Sequence, residues 1–348
     1  MNAARPLRVV QWASGALGRS VLRGLLERPG FEVAGVRVYD PAKIGMDAGI
    51  LASRPPVGIA ATADEAEILA LDADCVVYAP LPGSVHGNDD LKTVCALLAS
   101  GKNVIAMSGF VYPRAHGPEF ADALERACAE GGTSIHGTGV SPGFMGEKLP
   151  LVMSGLCRKV DHLYVRECFD VAGHPSRGFV NDMLRFGHTE EKYVEALPCA
   201  RAVMRATFAD SLHLLAAGLN VVLDEIDLDH EHVLAPGDLP IAAGLIPRGT
   251  VAAARWTFTG RVDGQPFITL ETVHKADASR IRDWHDPGYG LRIQGLPSLS
   301  LTAADDWISN AISAAAAHAL NSIVPVCEAA PGIRTLLDLP LITGRLSR

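Results

Sequence analysis

The sequence predicts an α/β fold: an N-terminal domain on a doubly wound parallel sheet, then an α+β domain with a mainly antiparallel sheet. Three observations carry this. Short apolar strands alternate with helices from Leu7 to Thr138, a glycine-bearing turn (Ala13 to Gly18) links the first strand to the first helix, and the strands lengthen after Pro142. Near-continuous apolar strands joined by helices mean a parallel sheet with both faces covered. The expected division is 1–145 for the first domain, 146–302 for the second, and 303–348 for a C-terminal helix and tail with the option of packing back on the first domain, a placement the sequence alone does not fix.

Taken in order, Leu7 to Gln11 is a β-rich run. Leu17, Val21, Leu22, Leu25 and Leu26 then set one apolar stripe along a helix, closed by Gly30. Phe31 to Tyr39 reads as the second strand. Thr62-Ala63-Asp64-Glu65 has the form of a capping box and opens a helix. Cys75 to Ala79 is a wholly apolar strand, and a helix over 88–100 stops at Gly101. Val104 to Met107 is a strand, Pro118 to Glu130 a helix, and Thr133 to Thr138 a strand. Beyond the turn at Pro142, the pattern predicts a helix over 144–155, a strand over 160–169, and helical stretches over 176–219 broken at Pro198. The strands 252–262 and 265–274 meet at Asp263-Gly264, the dipeptide of a type I′ hairpin. One further strand is expected over 291–301, and an alanine-rich helix over 305–323.

Composition excludes several classes. At 348 residues the chain holds two cores, and 48% hydrophobic with 20% charged residues describes a folded globular protein. The formal net charge of −8 gives no general attraction to nucleic acid or anionic membrane. No apolar run approaches the ~18–20 residues of a membrane span. The seven scattered cysteines contain no C-x-x-C pair, and Met1 to Pro6 shows no leader pattern, so free thiols and a cytoplasmic location are expected. Asp224, Asp227, Asp229, His230 and His232 crowd one segment, but alternation along a strand splits them between two faces, so no metal site is expected.

The turn Ala13-Ser14-Gly15-Ala16-Leu17-Gly18 is the dinucleotide fingerprint with alanine at the first glycine position. It follows a strand and opens a helix at the start of a βαβ unit, as a Rossmann domain requires. Gly15 lets backbone approach a pyrophosphate at the helix N-terminus, and Gly18 permits close helix–strand packing. Cofactor choice turns on the end of the second strand. Asp40 would bind the ribose hydroxyls of NAD, whereas Arg37 and Lys43 would pair with the 2′-phosphate of NADP. The signals conflict, and the balance tips slightly to NADP. Asp40 also has a local reading, as the start of an Asp-Pro turn.

Several segments together carry a resemblance. They are Val10 to Gly18, Asp40-Pro41-Ala42-Lys43-Ile44-Gly45, Ser100-Gly101-Lys102-Asn103-Val104, His136 to Phe144, and Asp338-Leu339-Pro340-Leu341. The chain resembles the dihydrodipicolinate reductase-like superfamily, closest to the branch of 2,4-diaminopentanoate dehydrogenase, native amine dehydrogenases and their actinobacterial relatives. The most specific segment is Gly137-Thr138-Gly139-x-x-Pro142-Gly143-Phe144. The resemblance implies a Rossmann domain, a catalytic α+β domain used for substrate and dimerisation, NAD(P)H, and a homodimer. It also implies that Pro80, Leu81, Ser108, Gly109, Ser141 and Pro142 lie near the nicotinamide. Two departures stand out. No His-His pair occurs, which argues against dihydrodipicolinate reductase activity itself. Amine dehydrogenases place a glutamate shortly after Gly-Lys-Asn-Val, whereas Ala106 to Pro113 contains no carboxylate.

Hydride chemistry belongs to the cofactor, so the protein must supply a proton donor. Ser108, Tyr112 and His188 are the expected catalytic residues, with His174 and Glu190 as further candidates; His188 lies in a stretch that resembles the family's substrate-facing region. His136 reads as structural, and Glu147 as an acid favouring a helix N-terminus. The expected function is NAD(P)H-dependent oxidoreduction at a C=N or C–N bond of a small amine, imine or ketone. A carbonyl reductase and a non-catalytic NADP-binding sensor are the alternatives.

Overall fold

The computed structural model describes residues 5–81, 89–107, 109–303 and 310–344. It divides into two compact units, 1–144 with 311–348, and 145–310. Among the described residues no helix is long and apolar enough to cross a membrane, and all seven cysteines are free.

The first unit is built on strands β1 (Leu7–Trp12), β2 (Phe31–Arg37), β3 (Cys75–Tyr78), β4 (Asn103–Ala106), β5 (Ser134–Gly137) and β14 (Gly332–Ile333). They form one sheet in the order β14-β5-β4-β3-β1-β2, and every pair is parallel. The chain leaves β1 for β2 on one side and returns to β3 on the other. The sheet's switch point therefore lies between β1 and β3, where doubly wound folds open a crevice at the C-terminal strand ends.

Period-two alternation sends adjacent side chains of β1 to opposite faces. Val9 joins a core with Leu22 and Leu25 of α1 (Ala16–Leu26) and with Leu320 and Ile323 of α8 (Ala311–Cys327). Val10 joins the opposite core with Leu97 and Leu98 of α4 (Asp90–Ala99) and Leu124 and Cys128 of α5 (Pro118–Gly131). Two short helices, α2 (Ala48–Leu51) and α3 (Glu65–Ala70), complete this unit.

The second unit carries the sheet β13-β12-β6-β11-β10-β7. Its strands are β6 (Lys159–Asp170), β7 (Glu225–Leu234), β10 (Val251–Val262), β11 (Gln265–Lys275), β12 (Gly288–Leu296) and β13 (Leu299–Ala303). Only β6 and β11 pair in parallel. Leu212 and Leu215 of α7 (Glu190–Gly218) pack on one face against Leu163, Phe258, Leu270 and Leu291. A short hairpin, β8 (Leu239–Ile241) with β9 (Gly244–Ile246), joins a second core with Phe186, Tyr193 and Val251. The remaining helix, α6, is short (Lys148–Ser154).

The expected doubly wound parallel sheet and the mainly antiparallel second sheet are both present. The β10–β11 turn has Asp263 and Gly264 at φ 50° and 70°, as a type I′ turn requires. Several local expectations are corrected. The α3 cap is Asp64, which accepts from Ala66 N and Glu67 N; Thr62 instead accepts from Asp64 N. Helix α1 ends at Leu26, before Gly30. Pro198 lies inside α7 without ending it, the interruption falling earlier, between the π-turn Gly178–Met183 and Thr189. Proline costs one helical hydrogen bond, and the apolar face of a 29-residue helix on the sheet outweighs that loss. The single strand expected over 291–301 is a hairpin, β12 and β13, turning at Pro297-Ser298.

Helices α1 and α8 touch closely at Gly24, where a Cβ would lie 2.2 Å from Leu320 Cδ1. Gly24→Val should therefore overpack this contact and destabilise the protein by about 1–3 kcal/mol in urea unfolding. Unchanged stability would show that α8 does not pack there in solution.

Candidate functional site

The turn between β1 and α1 is tight because three residues force it. Ala13 sits at φ 75°, a left-handed conformation that glycine would occupy without strain. Its N–H donates to the Arg37 carbonyl at 2.9 Å. The buried Gln11 amide donates to the carbonyls of Trp12 and Ala13 at 3.0 and 2.9 Å, holding the turn from beneath. At Gly18 any Cβ would lie 2.1 Å from the Ala13 carbonyl oxygen, so the first turn of α1 can press on the loop only with glycine there.

This geometry presents the N-terminus of α1. Gly15 is its N-cap; no side chain caps the helix, and its first turn holds no acid. A Cβ on Gly15 would meet nothing within 4 Å. Among the described residues no side chain caps these first N–H groups, and the positive end of the helix dipole lies with them, as a pyrophosphate cradle requires. Ser14, Ala16 and Leu17 complete the loop.

At the end of β2, Arg37 is 8% exposed and already engaged. Its guanidinium donates to the Val38 carbonyl at 2.7 Å and to Glu65 at 3.1 Å, and lies 3.8 Å from the Tyr39 ring centroid. Asp40 is exposed and accepts from Ala42 N at 3.0 Å, the local Asp-Pro reading. Lys43 Nζ donates to the Ser14 carbonyl at 3.2 Å, which brings a cation to the glycine turn.

Parallel strands deliver their following loops to one edge. Pro80 and Leu81 follow β3, Gly109 follows β4 at φ 74°, and Ser141 and Pro142 follow β5, all at the edge that carries the Ala13–Gly18 turn. Ser108 lies outside the described residues. The Gly-Thr-Gly segment is dictated by backbone packing. A Cβ would lie 2.0 Å from Phe110 O at Gly137, 2.5 Å from Pro142 O at Gly139, and 2.2 Å from Gly139 N at Gly143. Thr138 Oγ1 meets His318 Nδ1 of α8 at 2.6 Å, and Phe144 packs edge-on to that ring.

The acid–base candidates divide between the units. Tyr112 is half-buried in the first and precedes the short turn Pro113–His116. His188 is half-buried in the second, between Gly187 at φ 87° and Thr189, the N-cap of α7; its carbonyl accepts from Val251 N at 2.9 Å. His174 Nδ1 accepts from Ser176 N at 3.2 Å, and burial pulls its imidazole below the ordinary value. Glu190 pairs with His232 at 3.0 Å. His136 is buried in β5 against the Arg334 carbonyl. On β7, Asp227 and Asp229 share one face of the sheet and His230 and His232 the other.

Glu147 sits at the N-cap position of α6, at the helix N-terminus where its sequence placed it, and makes no side-chain capping hydrogen bond. It is 1% exposed and accepts from the Ser211 hydroxyl of α7 instead. Sequence reasoning passed over Gln11, Ser211 and His318. A polar residue in the first strand was a visible signal for Gln11. The partners of Ser211 and His318 are 64 and 180 residues away in the chain, and no local pattern marks them.

Residues 144–347 match the 2,4-diaminopentanoate dehydrogenase C-terminal domain family. Over 98% of this chain and 99% of the relative, the sequence is 30% identical to an amine dehydrogenase of Streptomyces virginiae. A 2,4-diaminopentanoate dehydrogenase of Acetoanaerobium sticklandii is 24% identical over 96% of this chain and 94% of its own. The fold is shared with the amine dehydrogenase structure from Mycobacterium smegmatis, with a TM-score of 0.83, 20% identity and 97% coverage of each chain.

Replacing Gln11 with Leu removes the buried donor to the Trp12 and Ala13 carbonyls and should cost about 1–3 kcal/mol in urea unfolding. Adding Ala13→Gly to that variant should recover about 1 kcal/mol, because glycine adopts the left-handed turn without strain. No loss in the single variant would remove Gln11 from its supporting role.

Proposed function

The chain belongs to the 2,4-diaminopentanoate dehydrogenase family, and from that premise we propose that it is a nicotinamide-dependent oxidoreductase acting at the C–N bond of a small amine, or on the corresponding C=N bond in reverse. The observation that carries this reading is the open, uncapped N-terminus of α1 behind Gly15, in a chain related end to end to an amine dehydrogenase.

The residues present fit a dinucleotide. Ala13 to Gly18 would hold the pyrophosphate through backbone N–H groups, and Asp40 and Lys43 would meet the adenosine ribose end. Pro80, Leu81, Ser108, Gly109, Ser141 and Pro142 would border the nicotinamide. When bound, the cofactor supplies the hydride donor or acceptor. NADP is the favoured form: Arg37 is held by Glu65, whereas Lys43 pairs with no carboxylate among the described residues and bonds only a carbonyl of the glycine turn.

We read His188 as the proton donor or acceptor, with Tyr112 and Ser108 as polar groups at the reacting end. The ring nitrogens of an imidazole can both give and take a proton, and Ala106 to Pro113 offers no carboxylate for the task. That same stretch favours a second reading, carbonyl reduction, which needs no acid to handle ammonia. A homodimer in the cytoplasm is part of the proposal; the family resemblance supports the dimer, and the seven free cysteines support a reducing compartment.

Titration with NADPH and NADH tests the cofactor assignment. Gly15→Trp should abolish binding of both by filling the cradle, and unchanged affinity would refute the placement. Assays with linear and cyclic ketones, with and without ammonia, separate the two chemistries: cofactor oxidation that requires ammonia means amine chemistry, and oxidation without it means carbonyl reduction. His188→Ala should lower turnover ~10²-fold or more; near-normal turnover would exclude it as the proton donor.

A further inference from the structure

We propose that Lys148, the first residue of α6, is a nucleophilic amine that condenses with the carbonyl carbon of a small ketone or aldehyde to form a protein-bound imine. The site stands on residues of the second unit alone; the use made of the imine rests on the function proposed above.

Three lysines are buried among the described residues, and two of them have found acceptors. Lys102 is 2% exposed, and its ammonium donates to the Leu69 carbonyl at 2.8 Å and to the carbonyl and hydroxyl of Ser100 at 3.4 and 3.1 Å. Lys275 is 1% exposed and donates to the Ile281 carbonyl at 3.2 Å. Lys148 is 7% exposed and forms neither a hydrogen bond nor an ion pair among the described residues. An ammonium carries three donors and no acceptor, and burying one unpaired is costly. A lysine kept only for its aliphatic stem turns its charged end to water, yet little of Lys148 reaches water.

The backbone around this amine is fixed from two sides. Tyr289 of β12 donates its hydroxyl to the Met145 carbonyl at 2.6 Å, and Ser211 of α7 donates to the buried carboxylate of Glu147. Met145, Leu149 and Leu151 pack into the core under α7. The acid next to Lys148 in sequence is thus engaged elsewhere, and no carboxylate favours the charged amine. Burial alone acts on it, and burial lowers its basicity. Lys102 differs here too, because Asp72 opposes the effect of burial on its ammonium. A desolvated lysine held without its proton is the form that attacks carbonyl groups.

In the proposed step the Lys148 nitrogen attacks the carbonyl carbon. The new C–N bond forms as a proton passes from nitrogen to the carbonyl oxygen. Loss of water then breaks the C–O bond and leaves the imine. No electrons are gained or lost. Under the proposed function ammonia adds to the imine carbon, the bond to Lys148 breaks with return of a proton to its nitrogen, and the free C=N compound is released for hydride transfer. Lys148 would thereby activate the carbonyl carbon toward ammonia in a chain whose Ala106 to Pro113 stretch has no carboxylate.

The test is reductive trapping. The full chain, without nicotinamide cofactor, is incubated with acetone and cyanoborohydride at neutral pH, and the adducts on its lysines are mapped by peptide mass spectrometry. Lys148 should be modified ~10-fold or more faster than the exposed Lys92, Lys159 and Lys192, since a tenfold gain in free amine needs only a modest fall in basicity. Its labelling should saturate with acetone and persist to lower pH than theirs. No adduct at Lys148, or one formed no faster than at those three, would overturn the proposal. Lys148→Met, which replaces the amine with an uncharged chain, should lower ammonia-dependent cofactor oxidation ~10²-fold or more and leave NADPH affinity unchanged. Undiminished oxidation in that variant would remove the imine from the reaction. Trapping at Lys148 without any ammonia-dependent oxidation in the wild type would uphold the amine site and refute the proposed function, and ammonia-dependent oxidation without trapping would do the reverse.

Discussion

The first unit depends on how the chain turns between β1 and α1. A strand must end and a helix begin within a few residues, with the helix pressed against the strand it left. Ala13 meets this by entering the left-handed region, Gln11 by donating to the carbonyls of Trp12 and Ala13, and Gly18 by having no Cβ to strike Ala13. The turn lies at the switch point of a six-stranded parallel sheet, so the helix it opens points its N–H groups outward at the edge where the loops after β3, β4 and β5 also emerge. An alanine at the first glycine position is tolerated because neighbouring groups determine its conformation.

The second unit is governed by a different constraint, the two unlike faces of one sheet. Pairing across β6, β11, β10 and β12 puts Leu163, Leu270, Phe258 and Leu291 on the face that α7 covers. The same alternation must put Tyr164, Arg166, Glu271, Arg255 and Arg292 on the other. Apolar burial holds the sheet together. The polar face then carries the pairs of Glu271 with Arg255 and His285, while Arg166 pairs with no carboxylate among the described residues.

These constraints bear on chemistry through the residues they leave free or engaged. Arg37 looks like a phosphate ligand in the sequence, but it is drawn inward by Glu65, Val38 and Tyr39, which leaves Lys43 as the cation beside the glycine turn. Membership of an amine-oxidising family joined to a stretch without a carboxylate, Ala106 to Pro113, makes the proton donor the central chemical question. The Glu147 carboxylate is buried and accepts from Ser211 of α7.

The parts of this protein legible in the sequence are those governed by local rules. Apolar period and turn chemistry identified the parallel sheet, the glycine turn at a βα junction and the Asp263-Gly264 hairpin, because each depends on residues within one or two elements. The Gly-Thr-Gly segment was recognisable as a motif, but the reason for it was not: Gly137 is needed because Phe110, from another loop, lies 2.0 Å from where its Cβ would be. Long-range packing kept Pro198 inside a helix and placed α8 against α1, whereas the turn that divides 291–301 is local, Ser298 bonding Gly295. It also engaged Arg37, buried Glu147 and turned Arg166 across Gly290. Secondary structure follows from neighbours a few residues apart, which sequence displays, whereas the state of each charged side chain follows from partners brought close only when distant elements pack.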